Sequence, residues 1–242
     1  MKNAFSSSAQ RLGGVVAVAL LLAGCGGGGG GEPAATPSIP LATAFANFVN
    51  AQPSYQIAFS GTATTPTGQE LPFTGSGFVT ETTTASTFEG IPALRKTMTE
   101  SGQFVLLGNT YPVAATSSSY FDTNYAPIGS VSADGYCVVT DHHPLPATAQ
   151  PGHNSIWFSS TCYSDATRLV RVGSASTSWV LEPESDSTAR FKTIVNTTDN
   201  LGATGVSTLT VRVSNLGQVT RLEESGTLSQ DGVTLNYTGS YR

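Results

Sequence analysis

Thr208-Leu209-Thr210-Val211-Arg212-Val213-Ser214-Asn215-Leu216-Gly217 decides the fold class. Leu209, Val211 and Val213 alternate with Thr208, Thr210, Arg212 and Ser214. A period of two sends one set to a buried face and the other to water. Asn215-Leu216-Gly217 then supplies a turn. The same pattern continues on both sides. Downstream, Val233, Leu235 and Tyr237 alternate with Thr234, Asn236 and Thr238; upstream, Tyr55, Ile57 and Phe59 alternate with polar or small residues. Turn signals recur at hairpin spacing, at Thr67-Gly68, Gly108-Asn109, Asp134-Gly135 and Asp231-Gly232. The strand–helix alternation that a parallel sheet needs is missing. The chain is predicted to be mainly β: an antiparallel curved sheet, half-barrel or barrel.

Two hairpins read alike. Ser60-Gly61-Thr62 leads through Gly68 to Leu71-Pro72-Phe73-Thr74-Gly75-Ser76, and Ser225-Gly226-Thr227 leads through Gly232 to Leu235-Asn236-Tyr237-Thr238-Gly239-Ser240. Shared demands in a Thr/Gly-rich chain explain the likeness more simply than duplication. It places the first and last hairpins at comparable positions in the sheet, closing or nearly closing a barrel. One short helix precedes the strands: Leu41, Phe45, Phe48 and Val49 form a stripe bounded by Pro40 and Pro53. Without Lys or Arg, that stripe suits core packing better than a membrane surface.

Before the helix the composition changes. Gly26 to Gly31 is unbroken glycine, followed by Glu32, Pro33, Pro37 and Pro40. Such a segment cannot form a core, and fifteen residues of it would reach at least about 20 Å as a random coil. Further upstream, Lys2 and Arg11 precede an apolar or small-residue stretch from Leu12 to Ala23. At about a dozen residues it is short of the roughly 20 that span a bilayer, so a cleaved signal is preferred. The expected division is 1–24 signal peptide, 25–40 tether and 41–242 a single antiparallel β-domain.

The end of the signal, Leu22-Ala23-Gly24-Cys25, resembles the lipobox of bacterial lipoproteins. The resemblance implies that Cys25 becomes the acylated first residue, a membrane contact made through lipid. Gly26 in place of Asp implies the outer membrane, within the cell envelope. The span from Tyr120-Phe121-Asp122-Thr123-Asn124-Tyr125 onward, with Leu145-Pro146-Ala147-Thr148-Ala149 and Trp179-Val180-Leu181-Glu182-Pro183, is similar to bacterial lipoproteins without an assigned activity. The order of elements, a short helix and then long antiparallel strands, resembles the half-barrels of periplasmic lipoprotein and lipid carriers.

Charge narrows the partners. Losing Lys2 and Arg11 with the signal leaves nine basic residues against 16 acidic ones, a net charge of about −7. With no basic cluster either, a nucleic-acid partner is disfavoured. With Cys25 used for lipid, Cys137 and Cys162 are an even pair in an oxidising compartment and are expected to form a disulfide. Its loop would stabilise the domain by about 3.5 kcal/mol in the chain-entropy account. That pairing would set Asp141 opposite Phe158, with 142–154 as the connecting loop.

His142, His143 and His153 lie within a dozen residues, with Asp141 beside the first. Imidazoles on one loop can hold zinc or copper, with Asp141 as an oxygen ligand or acceptor. Adjacent histidines on an extended chain point apart, however, and a solvated polar loop is the preferred reading. No cofactor is expected. The chain also lacks Gly-x-Ser-x-Gly, Ser-x-x-Lys and His-Glu-x-x-His, so no catalytic residue is assigned and a non-enzymatic role is expected. Glu182 with Glu184, and Glu223 with Glu224, read as solvated strand positions.

The aromatic residues carry the remaining question. Ile156 and Phe158 should face one side of their strand and Trp157 the other, while Trp179 and Leu181 share a face. Core filling is the preferred reading; a cavity for an acyl chain or other apolar ligand would use the same residues. Two roles follow: a structural or protein-contacting envelope domain, expected if the interior is packed, or a carrier of an apolar, lipid-like ligand, expected if it is hollow.

Overall fold

The computed structural model describes residues 38–242. The expected signal segment, Cys25 and the expected tether through residue 37 lie outside the described residues. The helix, α1, runs Leu41–Asn50. It is followed by β1 (Ser54–Thr64), β2 (Glu70–Phe88), β3 (Ile91–Leu106) and β4 (Asn109–Phe121). Then come β5 (Pro127–Ser132), β6 (Gly135–His142), β7 (Asn154–Tyr163) and β8 (Arg171–Pro183). The last four are β9 (Thr188–Asp199), β10 (Thr204–Ser214), β11 (Val219–Gln230) and β12 (Val233–Tyr241).

Each strand pairs antiparallel with its neighbours in sequence, and β1 pairs with β12, so the sheet is a closed barrel of twelve strands. The half-barrel alternative is thereby removed. Closure runs through the two look-alike hairpins. Gly61 stands opposite both Phe73 and Tyr237, and Tyr237 stands opposite Gly226. In the first hairpin the glycine makes room for the Phe73 ring across the ladder.

Many outward positions of β1, β2 and β12 are polar: Gln56, Ser60, Thr74, Ser76, Asn236, Thr238 and Ser240 are all exposed. The outer wall also carries apolar side chains, among them exposed Phe78, Val105 and Ile156 and the ring stack of Phe88, Tyr120 and Tyr136. Leu209, Val211 and Val213 share the inner face with Trp179, Leu181 and Phe191.

Eight strands suffice to enclose a lumen that side chains can fill, and the lumen widens with strand number. Twelve leave more space than the inward side chains of one wall can occupy. Part of that space is taken by α1, which closes the end bearing the 89–90, 122–126, 143–153, 184–187 and 215–218 turns. Leu41, Ala44 and Val49 are buried there. Ile39 makes a two-way backbone bridge with Ala149 in the 143–153 loop, fixing where the chain arrives. The opposite end carries the other six turns.

Candidate ligand-binding cavity

The helix is held by its C-terminal half. Lys96 on β3 donates to the carbonyl of Ala51 at 2.8 Å, and Thr83 on β2 donates to the carbonyl of Val49 at 2.5 Å. Asn47 donates to the Gly217 carbonyl at 2.9 Å, and Asn50 to the Tyr125 hydroxyl at 2.8 Å. Gly217 has φ +76°, and an added Cβ would come within 3.2 Å of Thr43, so the turn and the close approach both call for glycine.

Behind these bonds sits a buried ionic cluster. Glu81 pairs with Lys96 at 2.8 Å and with Arg221, and all three side chains are nearly inaccessible. The excess positive charge meets the carbonyl end of α1 and several ring faces. Lys96 lies 5.0 Å from the Phe48 centroid; Arg221 lies 5.3 Å from Phe48 and 5.2 Å from Tyr241. Burial pulls the Lys96 ammonium below its ordinary pKa, opposed by Glu81.

Above the helix the lumen is hollow. A cavity of about 940 Å³ extends from α1 to the turns at the opposite end. Its floor is Phe45, set edge-on to Trp157 at 4.7 Å and to Phe121 at 5.5 Å. Higher up, the wall is lined by Ser130, Ser160, Thr177 and Thr193, and by the Cys137–Cys162 disulfide bridging β6 and β7. The mouth lies among Asp134, Ser164, Arg171 and Leu201. The preferred sequence reading, a filled core, therefore holds for one part of the barrel and fails for this one.

Two local irregularities escaped the alternation rule. A bulge at β7 gives Ile156 and Phe158 consecutive partners on β8. Trp157 is consequently buried against Phe45 while Ile156 is more than half exposed, so Trp157 and Phe158 line the cavity and Ile156 does not. A second bulge, in β6 at Thr140, shifts the register so that Asp141 faces Ser159 and His142 faces Phe158. Asp141 opposite Phe158 is thus corrected by one residue.

The histidine loop lies at the helix end, and none of its imidazoles lines the cavity. His143 Nε2 is 3.4 Å from Asp141 Oδ2, both exposed. His142 is half-buried; burial lowers its pKa and Asp122 opposes the shift. His153 is exposed, its backbone tied to Leu181. Among the described residues, no three of His, Cys, Asp and Glu converge as a metal would require.

The carboxylate pairs divide. Glu182 meets Lys192 at 2.7 Å on the outer wall, and Glu184 accepts from Arg212 at 2.6 and 2.7 Å, which holds its carboxyl down at about 2. Glu223 is exposed. Glu224 is not the solvated position expected: it turns inward, accepts from the Tyr241 hydroxyl and lies near Glu100. Burial, then the Glu224 charge, pushes Glu100 up to about 7.

The cluster of Glu81, Lys96 and Arg221 was not singled out from the sequence. The available signal was parity: Glu81 follows Leu71, Phe73 and Val79 on the inward positions of one strand. No family model, curated protein or solved structure matches this chain.

Proposed function

We propose that this chain is a lipid-anchored envelope protein, held through Cys25 at the outer membrane, whose barrel binds and carries one apolar or amphipathic small molecule without chemical conversion. The cavity carries this reading. At about 940 Å³ it lies at the upper end of the range usual for small-molecule sites. Its base is aromatic and the space above that base is open, so the binding space proposed is the interior of the barrel. The Ser and Thr hydroxyls lining it have no imidazole beside them, since the three histidines sit elsewhere. A histidine is the commonest base in nucleophilic catalysis by such hydroxyls.

Native mass spectrometry of the protein isolated from its own host's envelope tests the reading. The expected spectrum shows a complex heavier by one small amphiphile, dissociating on collision. A ligand-free spectrum under conditions that preserve other lipid carriers would contradict it. The anchor is tested separately: globomycin should accumulate a precursor, and Cys25→Ser should leave the membrane fraction. Identical fractionation of the two chains would remove the anchor from the proposal.

A further inference from the structure

On three of the strands that line the cavity, the wall is graded along its axis. From the helix end toward the mouth, the inward side chains of β4 run Phe121, Ser119, Ser117. On β7 they run Trp157 and Phe158, then Ser160, Cys162 and Ser164 just beyond the strand. On β9 they run Phe191, Thr193, Val195, Thr197, Asp199. Each strand begins in an aromatic ring beside α1 and ends in polar groups near solvent.

A second observation falls at mid-height. Thr177, only 2 % exposed, lines the cavity, and its hydroxyl has no hydrogen-bond partner among the described residues. A buried hydroxyl is costly when unmatched, and a polar atom part-way along a bound molecule would match it. At the mouth stands Arg171, the cationic side chain of the lining, close to exposed Leu169, Val170 and Leu201. Those leucines and the valine give an apolar chain a low-cost approach to the opening.

Resting on the carrier reading above, we infer that the ligand is a single amphiphile that loads through the mouth opposite α1, with its apolar end against Trp157 and its polar end among the hydroxyls toward Arg171. A wholly apolar ligand would leave the upper wall's hydroxyls facing hydrocarbon. A ligand inserted head-first would bury its polar group on Phe45, Phe121 and Trp157. Both arrangements desolvate polar atoms without repayment.

The protein contains its own depth gauge. Its two tryptophans, Trp157 and Trp179, are both buried at the helix end. Stearic acid with a nitroxide near its methyl end should abolish most of the tryptophan emission at saturation. The same acid with the nitroxide near its carboxyl should leave most of it. The reverse order would overturn the orientation while leaving ligand carriage intact, and equal quenching by both would overturn a fixed orientation. Quenching by neither would overturn this inference and count against the carrier reading as well. A Trp179→Phe chain should give the same order, with Trp157 alone as reporter.

Discussion

One barrel wall encloses two different interiors. On the side formed by β12, β1, β2 and β3, the lumen is packed: Phe59, Phe73, Phe104, Leu106 and Leu235 meet one another. Inward glycines permit this. A Cβ on Gly75 would come within 2.2 Å of the Phe59 ring, and one on Gly61 within 2.5 Å of the Phe73 ring. On the side formed by β4 to β10, many inward residues above the aromatic floor are small or hydroxylated, among them Ser117, Ser119, Ser160, Ala175, Thr177 and Thr193. Size alone does not explain the difference, since glycine is smaller than serine. Glycine lets a large neighbour lie down on the wall; a serine or threonine keeps its neighbours off and turns a hydroxyl into the space. The packed side contributes stability, and the hollow side leaves the cavity.

The junction between the two sides is the buried cluster under α1, and breaking it should have the largest effect. Glu81→Ala would leave Lys96 and Arg221 buried without their anion, which typically costs about 3–5 kcal/mol. Urea unfolding should show that loss, together with faster exchange of the α1 amides as the Lys96 and Thr83 anchors loosen. A change within a few tenths of a kcal/mol would mean that the cluster does not hold the helix.

Matched enlargements sharpen the comparison itself. Gly75→Ala forces a methyl into the Phe59 ring and to 2.7 Å from the Gln103 carbonyl, and overpacking of this kind costs about 1–3 kcal/mol. Ala175→Val adds more atoms, but into the cavity, and should stay within about 0.5 kcal/mol of the parent. Equal losses in calorimetry would erase the distinction between packed and hollow halves.

The packed side should also respond to pH. The fold favours protonated Glu100, whose folded pKa of about 7 exceeds the ordinary 4.5. Its contribution to stability is therefore complete below pH 4.5 and declines as pH rises through about 7, by on the order of 2 kcal/mol after allowance for partial solvation. Glu100→Gln should flatten that part of the stability–pH curve. A curve parallel to the parent's would assign the slope to other groups.

Strands and turns were legible because they are local. Leu209 to Val213 alternates cleanly, the Gly68, Gly108 and Gly232 turns punctuate it, and the helical stripe of Leu41, Phe45, Phe48 and Val49 is bounded by prolines. The cysteines were legible by counting, and the disulfide joins them as expected. Three features were not. The bulge at Trp157 depends on how two strands match across a ladder, and one strand's sequence does not contain that match. Closure was foreshadowed by the look-alike first and last hairpins, but hollowness depends on strand number and on which inward positions face each other across the lumen. Glu81, Lys96 and Arg221 come from three separate strands, and only the inward parity of Glu81 hinted that a charge was being buried. The part of the site that could be read was its aromatic inventory; the part that could not was the empty space between the rings.

If the proposed carriage is right, this space admits a ligand. Titration with phenylnaphthylamine, an apolar dye that brightens when shielded from water, measures it directly on the parent chain and on Ala175→Trp, whose indole would occupy the lumen. The expected result is saturable brightening at one dye per chain, and at least about tenfold weaker binding, some 1.4 kcal/mol, in the variant, with its unfolding midpoint preserved. No saturable signal from the parent, or equal affinity in both chains, would contradict it.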